Sequence, residues 1–553
     1  MTPTAFEARS HRLRRKLFSV ESVAFAEKVG SRVTRCEVRV SDACHDPTMS
    51  SKPGAIVAAR PESPELGRYA AAALVFGASA SVLVVEVVAL RLLAPYLGLT
   101  LETSTLVIGL ALAAIAVGCW AGGRVADLMP PRRALGPLVA VSGVAVAATP
   151  FAVRAAGAFD RGALLLLVST FAIIVPGTFL AAVTPMVTKL RLTSLHETGT
   201  VVGRLSAIGT VGAIVGTVVT GFVLISRLPV SGIMVGLGAV LVLTAAVVEF
   251  RVRGWQTAIA PAVLVLVGGG AATIAPGGCD VETIYHCAVV VTDPDRPSGR
   301  VLMLDGAPHS YVDLEDPTYL DWDYAKAVAS VTDTAYPKGQ PLRVYHIGGG
   351  GLTLPRYLEQ VRPGTSSLVS EIDPGVVKID TERLGLESGN GIQVRVEDAR
   401  LGLGRLADDS HDLVLGDAFG GVSVPWHLTT RETVRDIARV LTAEGIYVIN
   451  LLDYGPLAFA RAEVATLADT FDHVALATET DTLTQGEKAG GNLVVIASDT
   501  PFDVAAIAAN ISKRGADWDV IAGPELAEWT GDAAVLTDDY APVDQLLTPY
   551  STD

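Results

Sequence analysis

The stretch Leu342-Arg-Val-Tyr-His-Ile-Gly-Gly-Gly-Gly-Leu-Thr-Leu-Pro355 decides the fold of the C-terminal half of this 553-residue chain. Its first residues are apolar and β-branched, which predicts a buried strand; the glycines predict a tight turn, and the residues after them a helix. About twenty residues later, Ser367-Leu-Val-Ser-Glu-Ile-Asp373 predicts a second strand, which ends in carboxylates. A strand, a glycine-rich turn, a helix and a strand that ends in an acid form a βαβ unit of the kind that binds nucleotides.

Apolar runs and helical patterns continue to alternate after this unit. The alternation predicts a doubly wound, mostly parallel α/β sheet of the Rossmann-like type, with ligands at the carboxyl ends of its strands. Ahead of it, Thr283–Thr292 and Gly299–Leu304 predict an N-terminal β-hairpin, followed by a polar stretch through Asp321 and a helix from Tyr324 to Tyr336. The last two runs have no helical pattern between them, which predicts an antiparallel hairpin at the sheet edge. Strands are predicted at 342–347, 367–372, 392–396, 411–416, 444–451, 472–478 and 492–497, and helices at 352–361, 374–384, 430–442 and 455–469.

The N-terminal half contains apolar segments that are each near the ~20 residues a bilayer-spanning helix needs. They predict a multi-pass α-helical membrane domain at 68–275, between a basic, disordered tail at 1–67 and the α/β domain at 276–553. The lipid bilayer is therefore an expected partner. The seven segments lie at about 70–93, 104–126, 134–155, 162–188, 202–226, 230–250 and 255–275.

Lysine and arginine are concentrated in the tail and in the even-numbered connections between these segments. By the positive-inside rule, the N-terminus and those connections lie in the cytoplasm, so the α/β domain emerges outside the cell membrane after seven crossings. One segment fewer would reverse this placement. The α/β half carries a net charge of about −25 and the rest of the chain about +10. Such an acidic domain repels nucleic acid, and it either attracts cationic small molecules or simply stays soluble through its charge.

The cysteines do not predict a metal site, because none of the five belongs to a C-x-x-C pair. Cys279 and Cys287 flank a short segment just after the last apolar run. A disulfide there requires an oxidising compartment, and two free thiols are the alternative. Within the first apolar segment, Glu86 lies five residues before Arg91. An intramembrane carboxylate is either a functional group or a contact that locks two helices together.

Acidic residues follow three consecutive strands of the predicted α/β sheet. Glu371 ends the second strand, where a carboxylate accepts hydrogen bonds from ribose hydroxyls, and Asp373, before Pro374, is placed to cap the next helix. Asp398 follows the third strand and Asp417 the fourth. One such acid is often a cap, but three in a row indicate a shared ligand.

The segment from about 280 to 548 resembles the spermidine synthases and their membrane-fused relatives, which have a methyltransferase-like α/β fold. The resemblance implies that S-adenosylmethionine or its decarboxylated form is the donor, bound by the glycine turn, and that a polyamine is the acceptor. It also implies that Glu371 holds the ribose, Asp398 the adenine, and that Asp417 deprotonates the attacking amine. The matching residues are Leu304-Asp305-Gly306, Gly348-Gly349-Gly350, Glu371-Ile372-Asp373, Asp398 and Asp417.

The chain departs from the family pattern where amines are bound. Gly351-Leu352 replaces the Asp-Gly of the glycine turn, and Gly420 replaces the second acid after strand four. Because the lost acids would hold cationic amines, we expect S-adenosylmethionine to bind at least as well as its decarboxylated form. Further substrate or loop candidates are His309 (in place of a glutamine), Tyr319 and Asp321 (in place of Tyr-His-Glu), and His427.

Three functions agree with these patterns. The first is a membrane-anchored transferase that moves an alkyl, aminopropyl-type group or cleaves the donor, and releases methylthioadenosine. The second is a transporter of polyamines or adenosyl metabolites that uses Glu86 and has a nucleotide-binding sensory domain. The third is a catalytically inactive binding module, against which the intact Glu371, Asp398 and Asp417 argue. Nothing in the sequence opposes an oligomer.

Overall fold

The computed structural model describes residues 66–97, 101–159, 163–192, 197–225, 227–253, 279–387, 391–421, 423–484 and 490–548. Within these ranges, six helices are long and apolar enough to cross a bilayer. The predicted seventh segment at 255–275 and the tail at 1–65 lie outside the described residues. The six helices are α1 (Arg68–Leu97), α2 (Leu101–Leu128), α3 (Pro131–Phe159), α4 (Ala163–Arg191), α5 (Thr198–Val219, continued by one π-helical turn at Thr220–Leu224) and α6 (Val230–Arg253).

Glycines allow these helices to approach each other closely. A Cβ atom on Gly118 of α2 would lie 2.3 Å from the carbonyl oxygen of Thr178 on α4. A Cβ atom on Gly212 of α5 would lie 2.4 Å from the carbonyl oxygen of Phe76 on α1. Small residues at helix contacts are typical of packing within lipid, where burial of apolar surface gives no net attraction.

The α/β domain begins with a four-stranded antiparallel sheet rather than the predicted two-stranded hairpin. Residues 283–286 form a turn instead of extending the first strand, and the stretch predicted as polar and irregular contains a further strand. Its alternating pattern was hidden by Pro308 and by a bulge opposite Leu302 and Met303. The strands are β1 (Val281–Glu282), β2 (Cys287–Thr292), β3 (Gly299–Leu304) and β4 (Ala307–Asp313).

The second sheet has eight strands in the order β12-β10-β11-β9-β8-β5-β6-β7. The five strands from β9 to β7 are parallel, and the strand order changes direction between β5 and β8. Ligands of such sheets bind at this switch point, beyond the carboxyl ends of the strands. All seven predicted strands form: β5 (Arg343–Ile347), β6 (Ser366–Glu371), β7 (Ile392–Val396), β8 (His411–Gly416), β9 (Leu441–Tyr454), β10 (His473–Glu479) and β11 (Gly490–Ser498).

The predicted edge hairpin is only partly correct. β10 and β11 are antiparallel, but a short helix (Thr480–Thr484) follows β10, and β12 (Trp518–Ala522) covers β10 and forms the edge. This strand is short, and exposed Asp519 interrupts its apolar pattern, so the sequence did not indicate it. The helices of the domain are α7 (Asp323–Ala335), α8 (Thr353–Val361), α9 (Pro374–Arg383), α10 (Ala399–Leu403), α11 (Arg431–Val440), α12 (Ala458–Ala468), α13 (Thr480–Thr484), α14 (Val504–Lys513), α15 (Gly523–Thr530) and α16 (Val543–Leu546).

Helices cover both faces of the eight-stranded sheet. Successive residues of a strand point to opposite faces, so Val344 and Leu413 pack in the core with α7, α8 and α14. Their neighbours Tyr345 and Val414 pack in the core on the other face, with α10, α11 and α12. Because helices cover both faces of the sheet, a ligand can reach it at the carboxyl ends of the parallel strands.

Residues Cys279–Cys287 lie at the start of the α/β domain, and they form a disulfide loop. The two cysteines are bonded to each other, with their Cα atoms 5.3 Å apart. Of the two alternatives at this segment, the structure therefore has the disulfide. The loop contacts the ends of α1, α3 and α6 through Arg91, Arg154 and Ser231.

Candidate active site

The glycine turn between β5 and α8 brings backbone N–H groups to the switch point of the sheet. Gly348 has a φ of +95°, and a Cβ atom there would lie 2.5 Å from the carbonyl oxygen of Asp417. Only glycine adopts this conformation and permits this contact without strain. The backbone N–H of Gly349 donates a 2.8 Å hydrogen bond to Oε2 of Glu371. The turn and the acid after the second strand therefore form one structure.

Glu371 holds two backbone segments together. While Oε2 accepts from the glycine turn, Oε1 accepts a 2.8 Å hydrogen bond from the backbone N–H of Asp373. Asp373 in turn caps α9 by accepting from the backbone N–H of Gly375 at 2.8 Å, which is the role its position before Pro374 predicts. Each oxygen of an ionised carboxylate accepts more than one hydrogen bond. Oε2 also accepts a longer hydrogen bond, at 3.4 Å, from the backbone N–H of Gly350, so the remaining acceptor capacity of Glu371 is on Oε1.

Gly351, which stands where the family pattern has an acid, is packed closely against Ser310. The backbone N–H of Gly351 donates a 2.7 Å hydrogen bond to Oγ of Ser310, and a Cβ atom there would lie 2.6 Å from the same oxygen. The next residue, Leu352, is buried and has a φ of +59°, in the left-handed region that favours glycine. Leu352 therefore occupies a backbone position suited to glycine. At Gly351, a side chain would clash with Ser310 unless Ser310 moved.

Asp398 and His427 are brought together at the next strand end. Oδ1 of Asp398 caps α10 by accepting from the backbone N–H of Leu401 at 3.0 Å. Oδ2 lies 3.0 Å from Nε2 of His427. Arg400 joins this corner to the C-terminal segment through a two-pronged ion pair with Asp538. Each carboxylate oxygen of Asp398 thus already has one partner in the protein, and the adenine role of Asp398 and the proton-shuttle role of His427 stay predictions.

Asp417, which follows β8, is held by two donors on neighbouring elements. The hydroxyl of Tyr324 on α7 donates at 3.1 Å to Oδ2, and Nδ2 of Asn450 on β9 donates at 3.0 Å to Oδ1. Asn492 on β11 orients Asn450 through a 2.9 Å hydrogen bond. Burial raises the pKa of Asp417 to about 6, against the lowering effect of the hydrogen bonds from Asn450 and Tyr324. A group with this pKa is mostly ionised at pH 7 and still able to accept a proton.

Two cavities meet at Asp417. The first, named the donor cavity after the ligand that the sequence leads us to expect, is lined by Gly348, Gly349, Gly350, Glu371 and Asp398, together with His286 and His427. The second, the acceptor cavity, lies on the other side, between α7 and the ends of β9, β10, β11 and β12. Four residues line both cavities: His309, Tyr324, Asp417 and Phe419. Asp417 is therefore in reach of molecules bound on either side.

No protein family model matches the chain. Over 113 residues it is 33% identical to a polyamine aminopropyltransferase of Vibrio vulnificus, a match that covers 20% of this chain and 38% of the relative. The C-terminal domain is spermidine synthase-like. A polyamine aminopropyltransferase of Chromobacterium violaceum is 28% identical over 142 residues, or 26% of this chain and 53% of the relative. This chain thus spans 38% and 53% of the length of these two curated relatives.

Solved structures also resemble the spermidine synthase-like domain. A probable spermidine synthase of Corynebacterium glutamicum is 26% identical, with a TM-score of 0.44, and the match covers 47% of this chain and 95% of that structure.

Several residues of the spermidine synthase-like domain were not predicted as part of the site. Tyr324 was placed only at the start of a helix, and Asn450 and Asn492 were placed only as residues of predicted strands. A polar residue in the middle of such a strand is itself a signal, because a buried amide needs hydrogen-bond partners. Glu479, at the end of β10, lines the acceptor cavity and was also missed.

The acceptor cavity is acidic and has aromatic walls. Asp321, Asp323 and Glu479 line it, with Trp322 and Trp518 beside them. Burial raises the pKa of Glu479, and the nearby charges of Asp323 and Asp481 raise it further. Carboxylates that repel one another in this way are stabilised when a cation binds between them. The cavity therefore favours a cationic ligand.

The remaining candidates occupy different places. Nδ1 of His309 lies 3.2 Å from the carbonyl oxygen of Ala307, and burial lowers the pKa of this histidine, so it is neutral between the two cavities. Tyr319 lies under the guanidinium group of Arg296, 3.8 Å from ring centroid to Cζ, and its hydroxyl donates to Asp321 at 3.0 Å. Glu86 is half-buried within α1, and its functional role stays a prediction.

Proposed function

We propose that this chain is a membrane-anchored transferase that moves an aminopropyl-type alkyl group from an adenosyl sulfonium donor to an amine and releases methylthioadenosine. The observation that carries the proposal is the position of Asp417. It lies where two cavities meet, one with nucleotide-binding features and the other acidic, and its pKa of about 6 suits a general base.

The donor cavity has the features that an adenosyl group requires. Glycines of the turn line it and leave room for a close approach of the ligand, and Oε1 of Glu371 has acceptor capacity left for a ribose hydroxyl. Asp398, Pro425 and Leu428 surround the place expected for the base. The donor is S-adenosylmethionine or its decarboxylated form. Because Gly351 and Ser310 leave no acid at the turn, we expect intact S-adenosylmethionine to bind at least as well as the other form.

The reaction needs one proton acceptor and correct alignment. An acceptor amine arrives as an ammonium ion and gives a proton to the Asp417 carboxylate. The nitrogen lone pair then forms a bond to the donor carbon next to the sulfonium. The carbon–sulfur bond breaks, and its electron pair stays on sulfur, which becomes the neutral thioether of methylthioadenosine. Tyr324 keeps its own proton, since burial and the charge of Asp417 raise its pKa well above the usual value, and it can hold Asp417 throughout.

The acceptor in this proposal is a diamine or polyamine. One amine would reach Asp417, while a second ammonium group would lie between Asp323 and Glu479, which line the same cavity. The rings of Trp322 and Trp518 offer walls for the methylene chain. Asp323 and Glu479 lie on other elements than the glycine turn and the segment after β8, the two places where this chain lacks the acids of the family pattern.

Replacing Glu479 with glutamine is expected to raise KM for a diamine about tenfold or more, because the ammonium group loses a partly desolvated ionic partner. The dissociation constant for the donor should stay unchanged, since Glu479 does not line the donor cavity. Steady-state kinetics with putrescine and calorimetry with the donor test the two parts. The matched control is Glu528→Gln, which removes an exposed acid of α15. An unchanged KM in Glu479→Gln would contradict the diamine assignment.

We further propose that the α/β domain lies on the extracytoplasmic face of the cell membrane. The helices alternate in direction, so the ends of α1 and α3 and the start of α6, which contact the disulfide loop, belong to one face. Within the helical region, most lysines and arginines lie at the opposite face, which is cytoplasmic by the positive-inside rule. A disulfide supports the same placement, because it persists in oxidising compartments. This placement requires the predicted seventh crossing between Arg253 and Cys279.

Labelling of single cysteines on intact cells tests this placement. In a variant with Cys36, Cys44 and Cys119 replaced by serine, a cysteine at exposed Lys513 should react with a membrane-impermeant maleimide. A cysteine at exposed Arg251, on the face with most of the basic residues, should react only after permeabilisation. The reverse pattern would place the domain in the cytoplasm.

A further inference from the structure

The disulfide loop is fastened to the membrane helices by polar contacts. Arg91 of α1 donates a 3.0 Å hydrogen bond to the carbonyl oxygen of Thr283. Arg154 of α3 forms an ion pair with Glu282, and the side chains are only 16% and 15% exposed. The hydroxyl of Ser231 on α6 lies 3.4 Å from the same carboxylate. Three helices therefore hold two consecutive residues of one short loop.

The opposite side of the same loop reaches the donor site. The hydroxyl of Thr283 donates to Oδ2 of Asp373. The backbone N–H of Asp373 donates to Glu371, and Glu371 accepts from Gly349 in the glycine turn. Gly375 permits this contact, because a Cβ atom there would lie 2.5 Å from Thr283. An unbroken series of hydrogen bonds thus runs from the membrane helices to the turn.

A second connection passes through the end of the loop. Nδ1 of His286 lies 2.8 Å from Oδ2 of Asp305, and the backbone N–H of Cys287 donates at 2.9 Å to the other oxygen. The ring of His286 lines the donor cavity. The disulfide between Cys279 and Cys287 restricts the loop that presents this ring.

We infer that Arg91 and Arg154 are positioning residues for the donor site: they fix the disulfide loop, and the loop fixes Asp373, Glu371 and the glycine turn. The helical region is then part of the donor site and more than an anchor. The inference rests on the proposed function only for the identity of the ligand. It predicts weaker donor binding when the loop is released, with no change in the step at Asp417.

Arg154→Gln in the full-length chain, purified in lipid nanodiscs, tests the inference. The variant leaves the carboxylate of Glu282 poorly exposed and without its cation, which favours release of the loop. We expect the dissociation constants for S-adenosylmethionine and its decarboxylated form to rise about tenfold, with kcat at saturating donor unchanged. Hydrogen exchange of residues 371–376 should become faster without ligand. Arg154→Lys should restore binding to within about threefold, and Arg251→Gln, on the other membrane face, should resemble the wild type.

Opening the loop gives an independent variant. Cys279→Ser combined with Cys287→Ser should weaken donor binding and speed exchange at 371–376 in the same direction. Wild-type donor binding and wild-type exchange in Arg154→Gln would overturn the inference. If the wild type binds neither donor, the proposed function fails, and the exchange rates at 371–376 alone decide whether the helices position the turn.

Discussion

Replacing Asp417 with asparagine is expected to lower the rate of methylthioadenosine release by about 10²- to 10⁴-fold, the usual contribution of a positioned general base. The amide cannot accept the proton that the acceptor ammonium must lose. Donor binding should change little, because the donor is held mainly by the glycine turn and Glu371. The measurement is a single-turnover rate at pH 8 with saturating donor and diamine. A rate within threefold of the wild type would exclude Asp417 as the base.

The pH dependence separates loss of the base from loss of folding. Asp417 acts only when ionised, so kcat/KM should fall as the pH drops through about 6. Tyr324→Phe removes a hydrogen bond that stabilises the carboxylate, so the fall should occur at higher pH. Since the folded pKa lies above the usual 3.8, the stability that Asp417 contributes is present at low pH and lost as the pH rises through about 6. Asp417→Asn should therefore keep or raise the Tm at pH 8.

Replacing Glu371 with glutamine is expected to weaken donor binding about 100-fold. An amide has one acceptor oxygen, so the backbone N–H of either Gly349 or Asp373 loses its partner, and the ribose loses charge-assisted hydrogen bonds. Loss of two such bonds corresponds to about 3 kcal/mol. Calorimetry with the donor measures the change. Unlike the Asp417 variant, this one should recover part of its rate at high donor concentration.

The matched control for Glu371 is Glu382→Gln, which removes an exposed acid of the same α/β unit on α9. It should bind the donor as the wild type does. Equal losses in both variants would mean that the net charge of the domain, rather than the contact with the glycine turn, governs donor affinity.

The glycine turn and the acids after the strands could be predicted because their roles depend on local sequence. A strand followed by four glycines, and later by Glu371, restricts the backbone to few conformations, and β5, β6 and α8 form where expected. The capping role of Asp373 follows from Pro374 in the same way. Leu352 was less predictable, because a buried leucine seldom adopts the left-handed conformation that it has here.

The acceptor cavity depends on contacts between distant parts of the chain. Tyr324, Asn450, Glu479 and Asn492 come from one helix and three strands, and only the antiparallel order of β9, β11 and β10 brings them together. From the family pattern, the missing acids at 351 and 420 argued against amine binding. The folded chain supplies other acids in that region, at Asp323 and Glu479. The contacts of the disulfide loop with α1, α3 and α6 were equally beyond sequence patterns, since they join residues that are 192, 128 and 51 positions apart.

Product analysis of the full-length chain in nanodiscs is the most direct test of the central claim, that an alkyl group passes from a donor to an amine bound in two adjoining cavities and that Asp417 is the base. The protein would be incubated with S-adenosylmethionine or its decarboxylated form, each with and without putrescine, and the products identified by mass spectrometry. We predict methylthioadenosine and an alkylated diamine in equal amounts, both lost in Asp417→Asn. Folded wild-type protein that consumes neither donor, or product formation that persists in Asp417→Asn, would contradict the account.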